Sequence, residues 1–189
     1  MIYQPGSLIF TGVVMPLNFN EFPNAPTSRD DIKMSVLTGE DIFIFGLENT
    51  LVDFLNKACQ VDDCFTDAFY HNRIASKRSY TLTALAERKA REFHLLLTQE
   101  ALVSVMSVEY YQDGGNHYAA IADVFTLPEY RRQGLAKFNM QLTLAFLTAR
   151  GIIPTLSVFT ENKIAVQFYE SLGFKAQRYI MSCRTVSTY

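Results

Sequence analysis

Cysteine is scarce in this sequence, and its three cysteines form no recognisable pattern. Cys59, Cys64 and Cys183 are an odd number without the spacing of a disulfide framework, and no cysteine–histidine cluster has zinc-ligand spacing. These absences exclude a disulfide-stabilised secreted scaffold and a zinc module. We expect free thiols in a reducing compartment and no metal cofactor.

Long apolar runs and an excess of charge of one sign are also missing. No apolar run approaches the roughly 18 residues that span a bilayer. The first residues have no basic flank and include Pro5 and Gly6, unlike a signal peptide. The formal net charge of -2 argues against generic adhesion to nucleic acid or anionic membranes. We therefore expect a cytoplasmic protein with neither nucleic acid nor membrane as a partner.

Hydrophobic residues, by contrast, are plentiful. They make up 49% of the 189 residues, which is enough for one domain with a full core. Residues 1–30 alternate short apolar pieces with four prolines, which predicts an N-terminal arm or extension. Residues 31–189 are predicted to form a single domain.

Helical and strand periods alternate along that domain. Strands are predicted at Ile32–Leu37, Phe93–Thr98, Ala101–Tyr110, Tyr118–Leu127, Ile153–Phe159 and Phe174–Val186. Helices are predicted from Thr38 through Leu55 and at Val61–Tyr70, Leu82–Arg91, Leu135–Ala149 and Asn162–Leu172. Gly151 and Gly173 end the last two helices, and Gln112–Asn116 is a turn by composition.

The order of these elements predicts the fold class. The middle strands follow one another closely and form an antiparallel meander. The later order of strand, helix, strand requires crossover connections, which join parallel strands. We predict a mixed α/β sheet, antiparallel in its N-terminal half, partly parallel in its C-terminal half, and flanked by helices.

The most informative segment is Arg131-Arg132-Gln133-Gly134-Leu135-Ala136. It places a glycine-containing turn directly before a helix, where backbone N–H groups lack intrahelical acceptors and lie at the positive end of the helix dipole. Such a helix start suits a pyrophosphate. The alternatives are an ordinary loop glycine at Gly134 and, for Arg131, a solvated charge instead of a phosphate contact.

A second motif follows about thirty residues later, with Asn162, Phe168-Tyr169 and Leu172-Gly173-Phe174. Together with Arg131, Gly134 and Ala136, it resembles the GNAT superfamily of N-acetyltransferases. The cofactor motif of that superfamily is Arg or Gln, two variable residues, Gly, one variable residue, then Gly or Ala. The resemblance implies a GNAT-like central mixed sheet, acetyl-CoA as acyl donor, and one acyltransferase domain over residues 31–189.

The resemblance also implies cofactor-binding residues. The pyrophosphate of coenzyme A would bind the backbone N–H groups of Arg132, Gln133, Gly134, Leu135 and Ala136, and Arg131 would contact a phosphate directly. The strand end Phe125, Thr126 and Leu127 would pair with the pantetheine arm through backbone groups, in a splayed gap beside the strand at Ile153–Phe159. Asn162 would hydrogen-bond the cofactor arm, and capping of the second helix is an equal alternative.

Catalytic roles are assigned in the same way. Tyr169 resembles the general acid of the family, which protonates the departing thiolate; a core tyrosine is the alternative. For the general base we take Asp123, which shares a strand and a face with Phe125. Glu109 and His117 are the next candidates, and a water chain without a dedicated side chain is a further alternative.

These residues predict an N-acyltransferase that moves an acetyl group from acetyl-CoA to a primary amine by direct attack on the thioester. The acceptor is a small-molecule or peptide amine, and a homodimer through the last strand is left open. The alternative function is a non-catalytic GNAT-like module that binds an acyl-CoA or regulates a partner.

Overall fold

A five-stranded mixed sheet forms the centre of the structure. The computed structural model describes residues 31–61, 81–87, 90–99, 101–160 and 162–177. The strands are β1 (Lys33–Thr38), β2 (Glu92–Leu97), β3 (Leu102–Asp113), β4 (Asn116–Thr126) and β5 (Ile153–Leu156). The helices are α1 (Gly39–Ile44), α2 (Glu48–Val61), α3 (Leu82–Ala86), α4 (Leu135–Ala149) and α5 (Lys163–Ser171), with a 3₁₀ turn at Pro128–Tyr130.

Strand order follows chain order across the sheet. β1, β2, β3 and β4 pair antiparallel in turn, and β4 pairs with β5 in parallel. The parallel pair is the one whose connection contains a helix, α4, as a crossover requires. This topology confirms the predicted fold class.

The chain divides into two compact units, Met1–Ser157 and Val158–Tyr189. The sheet and α1–α4 belong to the first unit, and α5 belongs to the second. The predicted N-terminal arm lies outside the described residues, as do Cys64 and Cys183, so the arm and the free thiols stay predictions. In the part of the chain that is described, no helix is both long and apolar enough to cross a membrane.

The two faces of the sheet bury separate apolar cores. Phe93 and Leu95 of β2 belong to the core that contains residues of α1, α2 and α3. Leu96, the next residue after Leu95, points to the opposite face and belongs to the core that contains residues of α4. Because a one-residue slip would exchange these faces, burial on both sides fixes the register of β2.

The predicted helix from Thr38 through Leu55 is wrong as a single helix. The chain forms α1 and α2 instead, separated by a turn at Gly46, whose φ is +66°. The N–H of Gly46 donates to the carbonyl of Phe43, and the N–H of Leu47 donates to that of Ile42. These two bonds are a Schellman ending, in which a left-handed glycine stops the helix. The apolar period continues across the turn because Leu47 and Leu51 pack into the same core as Ile42.

Other predicted boundaries also change. The predicted helix at Leu82–Arg91 ends at Ala86, and Arg91 immediately precedes β2. β5 ends at Leu156 instead of Phe159. Residues 174–177 contain no strand, and the rest of the strand predicted there lies outside the described residues, as do residues 62–70 of the helix predicted after Val61.

The β3–β4 hairpin is longer than predicted. Its turn is only Gly114-Gly115, and the strands extend to Asp113 and Asn116, which face each other. Both glycines have positive φ, 54° and 81°, as a two-residue type I′ turn requires. The polar residues that indicated a turn over Gln112–Asn116 therefore lie partly in the strands.

Candidate active site

The start of α4 offers backbone N–H groups to a ligand. Its N-cap, Gly134, makes no side-chain capping bond, and the first helical bond runs from the N–H of Phe138 to the carbonyl of Gly134 at 2.9 Å. The N–H groups of Leu135, Ala136 and Lys137 precede that bond, so they have no acceptor within the helix. Over a helix of 15 residues, the dipole adds partial positive charge at this end.

Gly134 itself is explained by its backbone conformation. Its φ of +78° lies in the left-handed region, which favours glycine. Apart from its chain neighbours, no atom of the described residues lies within 4 Å of a Cβ built at this position. The described residues therefore leave room for a phosphate group that approaches the backbone closely.

Side chains of the loop between β4 and α4 form contacts with β4 and within the loop. The Nε of Arg131 donates to the carbonyl of Thr126 at 3.1 Å, and its guanidinium lies 5.2 Å from the centre of the Phe125 ring. The Nε2 of Gln133 donates to the carbonyl of Glu129 at 3.4 Å. The guanidinium of Arg131, one of the predicted phosphate ligands, thus contacts the end of β4.

Arg132 is a strained residue in this loop. Its φ of +63° is left-handed, which costs a non-glycine residue roughly 1 kcal/mol. Left-handed residues among helix-like ones make consecutive N–H groups converge into an anion-binding concavity. Arg132, two residues before Gly134, and Lys137, in the first turn of α4, are both exposed, so this segment contains two exposed cationic residues.

The end of β4 extends past its neighbour β5. The pairing of the two strands covers Tyr118–Ile121 against Ile153–Leu156, whereas β4 continues to Thr126. The N–H of Leu127 donates to the carbonyl of Val103 at 3.0 Å, on the β3 side. Because successive residues of a strand alternate, the backbone groups of Thr126 point away from β3, toward the side on which β5 has ended. The splayed gap was predicted at this place.

A β-bulge interrupts β4 just beyond the residues that pair with β5. The register with β3 shifts between Val105 and Ser107, whose partners are Phe125 and Ala122. Asp123 and Val124 therefore lie opposite a single residue, Met106, and Asp123 has a φ of +51°. A bulge redirects backbone groups and side chains, and many lie next to active sites.

Asp123 and Glu109, two of the three base candidates, lie in one cluster. The hydroxyl of Ser107 donates to Oδ2 of Asp123 at 2.6 Å, and Nη1 of Arg91 lies 3.3 Å from the same oxygen. Nη2 of Arg91 pairs with Glu109. His117 lies apart from this cluster, near the first residue of β4, where its Nδ1 contacts Nε2 of Gln112 at 3.2 Å.

Asn162 and Tyr169 belong to the second unit. Oδ1 of Asn162 accepts from the N–H of Ala165 at 3.1 Å, so the capping role is present. The Tyr169 ring lies edge-on to Phe168 and Phe174, with centroid distances of 5.3 and 6.0 Å. Burial raises the pKa of the Tyr169 phenol, so the hydroxyl keeps its proton at neutral pH, as a proton donor must.

Arg91 and Ser107 were not predicted from the sequence. They reach Asp123 over separations of 32 and 16 residues, and no spacing rule signals such contacts. Arg91 was moreover assigned to the end of a helix, where its charge is commonplace. Among the described residues, no group of three or more His, Cys, Asp or Glu side chains could hold a metal ion.

The sequence model of the acetyltransferase (GNAT) family matches residues 58–174, more than half of the chain. No curated protein matches the sequence significantly.

Similar solved structures include several acetyltransferases. An aminoglycoside acetyltransferase from an uncultured soil metagenomic sample, in complex with sisomicin, is 15% identical with a TM-score of 0.58, covering 84% of this chain and 98% of that one. Glucosamine-6-phosphate N-acetyltransferase from Arabidopsis thaliana is 16% identical with a TM-score of 0.54, covering 81% of this chain and 97% of that one. An acetyltransferase from Trypanosoma brucei is 20% identical with a TM-score of 0.51, covering 82% of this chain and 100% of that one. At these identities the similarity concerns the fold.

Proposed function

The chain belongs to the GNAT acetyltransferase family, and from this premise we propose that it transfers an acetyl group from acetyl-CoA to a primary amine. The observation that carries the proposal is the start of α4. There, a left-handed glycine, beside which the described residues leave room for a ligand, precedes N–H groups that have no helical acceptor. An acceptor that is a small molecule or a peptide fits the proposal equally.

The residues at the start of α4 and the end of β4 suit coenzyme A. The N–H groups of Leu135, Ala136 and Lys137, with the charge of Arg132, would bind the pyrophosphate. The backbone of Thr126 faces away from β3, beyond the residues of β4 that pair with β5. Its N–H would pair with an extended arm that contains amides, as a sheet edge pairs with an added strand, while its carbonyl accepts from Arg131. Acetyl-CoA supplies the activated acetyl group as a thioester.

Two side chains would move the protons. In acyl transfer a C–N bond forms and the C–S bond breaks, while the amine loses a proton and the sulfur gains one. Asp123, at the bulge beside the gap, would accept the amine proton. Tyr169 would donate its phenolic proton to the sulfur; this role rests on the Phe168-Tyr169 and Leu172-Gly173-Phe174 motif.

The similar structures support an amine acceptor. Two of them are an aminoglycoside acetyltransferase and a glucosamine-6-phosphate N-acetyltransferase, and the names of both enzymes specify amino sugars. Family membership favours a transferase over the non-catalytic alternative, a module that binds acyl-CoA without turnover. The cytoplasmic location and the homodimer stay predictions.

The proposal is tested by thiol release from acetyl-CoA in the presence of putrescine, benzylamine or a lysine-containing peptide. We expect release that depends on the amine and a product heavier by one acetyl group in mass spectrometry. Tyr169→Phe should lower kcat by about 10²-fold, because the thiolate then leaves without its general acid. Affinity for acetyl-CoA should change little.

Tyr118→Phe is the matched control, since it removes a phenolic hydroxyl from a half-buried tyrosine outside the proposed site. Its kcat should equal that of the wild type. Equal losses of turnover and of acetyl-CoA affinity in Tyr169→Phe would contradict the acid role. Binding of acetyl-CoA with no release for any amine would favour the non-catalytic module.

A further inference from the structure

We infer that Arg91 is a positioning residue for acyl transfer, which holds the carboxylate of Asp123 in the orientation that accepts the amine proton. This inference rests on the proposed function, and its test separates the two. The observation behind it is the cluster of Arg91, Ser107, Glu109 and Asp123 at the bulge of β4, next to the end of the β4–β5 pairing.

The contacts to Asp123 fix the rotation of its carboxylate. Ser107 Oγ donates to Oδ2 at 2.6 Å, and Arg91 Nη1 lies 3.3 Å from Oδ2. Arg91 Nη1 also lies 3.5 Å from Ser107 Oγ, so the three groups close a triangle. Two donors on one oxygen restrict turning about the Cβ–Cγ bond, which sets the direction of the whole carboxylate.

Arg91 is itself held from two directions. Its backbone carbonyl accepts from the N–H of Gly39, the first residue of α1, at 2.8 Å. Its other terminal nitrogen, Nη2, pairs with Glu109. A planar guanidinium carries its donors in a rigid fork, so fixing one nitrogen on Glu109 aims the other at Asp123. An ammonium group has no such fork and would not bridge the two carboxylates in the same way.

The charge of Arg91 also stabilises the buried carboxylate of Asp123. The Asp123 side chain is only 4% exposed, whereas that of Glu109 is 60% exposed. A carboxylate so deeply buried needs a partner of opposite charge. Ser107 gives Asp123 a neutral hydrogen-bond donor, and Arg91 gives it a positive charge. Loss of Arg91 would remove that positive charge from a cluster that also contains the carboxylate of Glu109.

A double-mutant cycle tests the inference, with acetyl-CoA and the most active amine among putrescine, benzylamine and the lysine peptide. Asp123→Asn should lower kcat by about 10²-fold, the scale of a lost general base. Arg91→Ala should lower kcat by about 10-fold, the scale of a lost supporting hydrogen bond. In the Asp123→Asn background, Arg91→Ala should have no further effect, because no base is left to position.

Two further readouts separate positioning from a structural role. KM for acetyl-CoA should stay within about twofold in every variant, since Arg91 does not belong to the cofactor site. Arg91→Lys should recover part of kcat, because it restores the charge without the fork. If Arg91→Ala does not fold, Arg91→Lys takes its place in the cycle, and Ser107→Ala provides a second cycle on the same oxygen.

Arg150→Ala is the matched control for loss of a guanidinium. Arg150 follows α4 at the helix end remote from Gly134, with its guanidinium 3.7 Å from the centre of the Phe146 ring. Its kcat should equal that of the wild type. An active wild type with additive losses in the cycle would overturn the inference about Arg91 alone. A wild type that releases no thiol with any amine would overturn the transfer reaction and, with it, this role of Arg91.

Discussion

At the scale of single residues, a buried histidine in the core, His94, determines part of how the stability of the protein depends on pH. His94 is fully buried, and its Nδ1 lies 2.8 Å from Oγ1 of Thr143 on α4. Its ring is edge-on to Phe146, with centroids 5.5 Å apart. The carboxylate of Glu92 is 3.5 Å from Nε2, too far for a strong hydrogen bond. Burial lowers the pKa of His94 against the opposing effect of Glu92, so the folded protein keeps a neutral imidazole.

This burial predicts a pH dependence of stability. Because the pKa of His94 is lower in the folded than in the unfolded state, the unfolded state binds more protons as the pH falls below about 6.5. The free energy of unfolding should therefore decrease between pH 7 and pH 5. His94→Asn, whose amide reaches the position of Nδ1, should reduce that decrease when urea unfolding is measured at both pH values.

The exposed His117 provides the control for this experiment. His117→Asn replaces an imidazole that the fold does not bury, so the loss of stability in acid should match that of the wild type. If His94→Asn loses as much stability between pH 7 and pH 5 as the wild type, His94 does not cause the pH dependence.

At the scale of elements, glycine marks the helix ends more reliably than the apolar period does. Gly46, Gly151 and Gly173 follow α1, α4 and α5, each with positive φ, and each helix ends in the same pair of backbone bonds. The ends of α4 and α5 were predicted from this signal. The end of α1 was missed because apolar residues continue at helical spacing beyond Gly46, driven by packing into one core.

The start of α1 was predicted from Thr38 alone, and the structure adds a reciprocal bond. The hydroxyl of Thr38 accepts from the N–H of Asp41 at 3.1 Å, and Oδ2 of Asp41 accepts from the N–H of Thr38 at 2.8 Å. Thr38→Ala should lower the free energy of unfolding by about 1 kcal/mol, since one helix donor loses its acceptor. Urea unfolding measures this difference.

Thr38→Ser keeps the hydroxyl and serves as the control. It should cost much less than Thr38→Ala, because the serine oxygen caps a helix at least as well as threonine. Equal destabilisation by serine and alanine would assign the effect to the lost methyl group of Thr38 instead of the cap.

At the scale of the whole molecule, the sequence predicts the parts of the site that are continuous in the chain better than the contacts between its distant residues. The strand, loop and helix from Phe125 to Ala136 are continuous in the chain, so local patterns were sufficient to predict the glycine turn and the helix start. The cluster at Asp123 joins β3, β4 and the residue before β2. Contacts of that kind depend on strand register and on a bulge, which no spacing in the sequence indicates.

Isothermal titration calorimetry with acetyl-CoA on the wild type, Gly134→Asp and Gly151→Asp tests whether the start of α4 binds the cofactor. Both glycines are left-handed, with φ of +78° and +69°, and apart from chain neighbours no atom of the described residues lies within 4 Å of a Cβ built at either position. The two substitutions therefore impose similar backbone strain, at opposite ends of α4.

We predict saturable binding to the wild type and to Gly151→Asp, and none to Gly134→Asp, whose carboxylate would meet the pyrophosphate in space and in charge. Comparable affinity of Gly134→Asp and the wild type would contradict the assignment of the cofactor site to the start of α4. Absence of binding to the wild type would contradict the proposal that acetyl-CoA is the acyl donor.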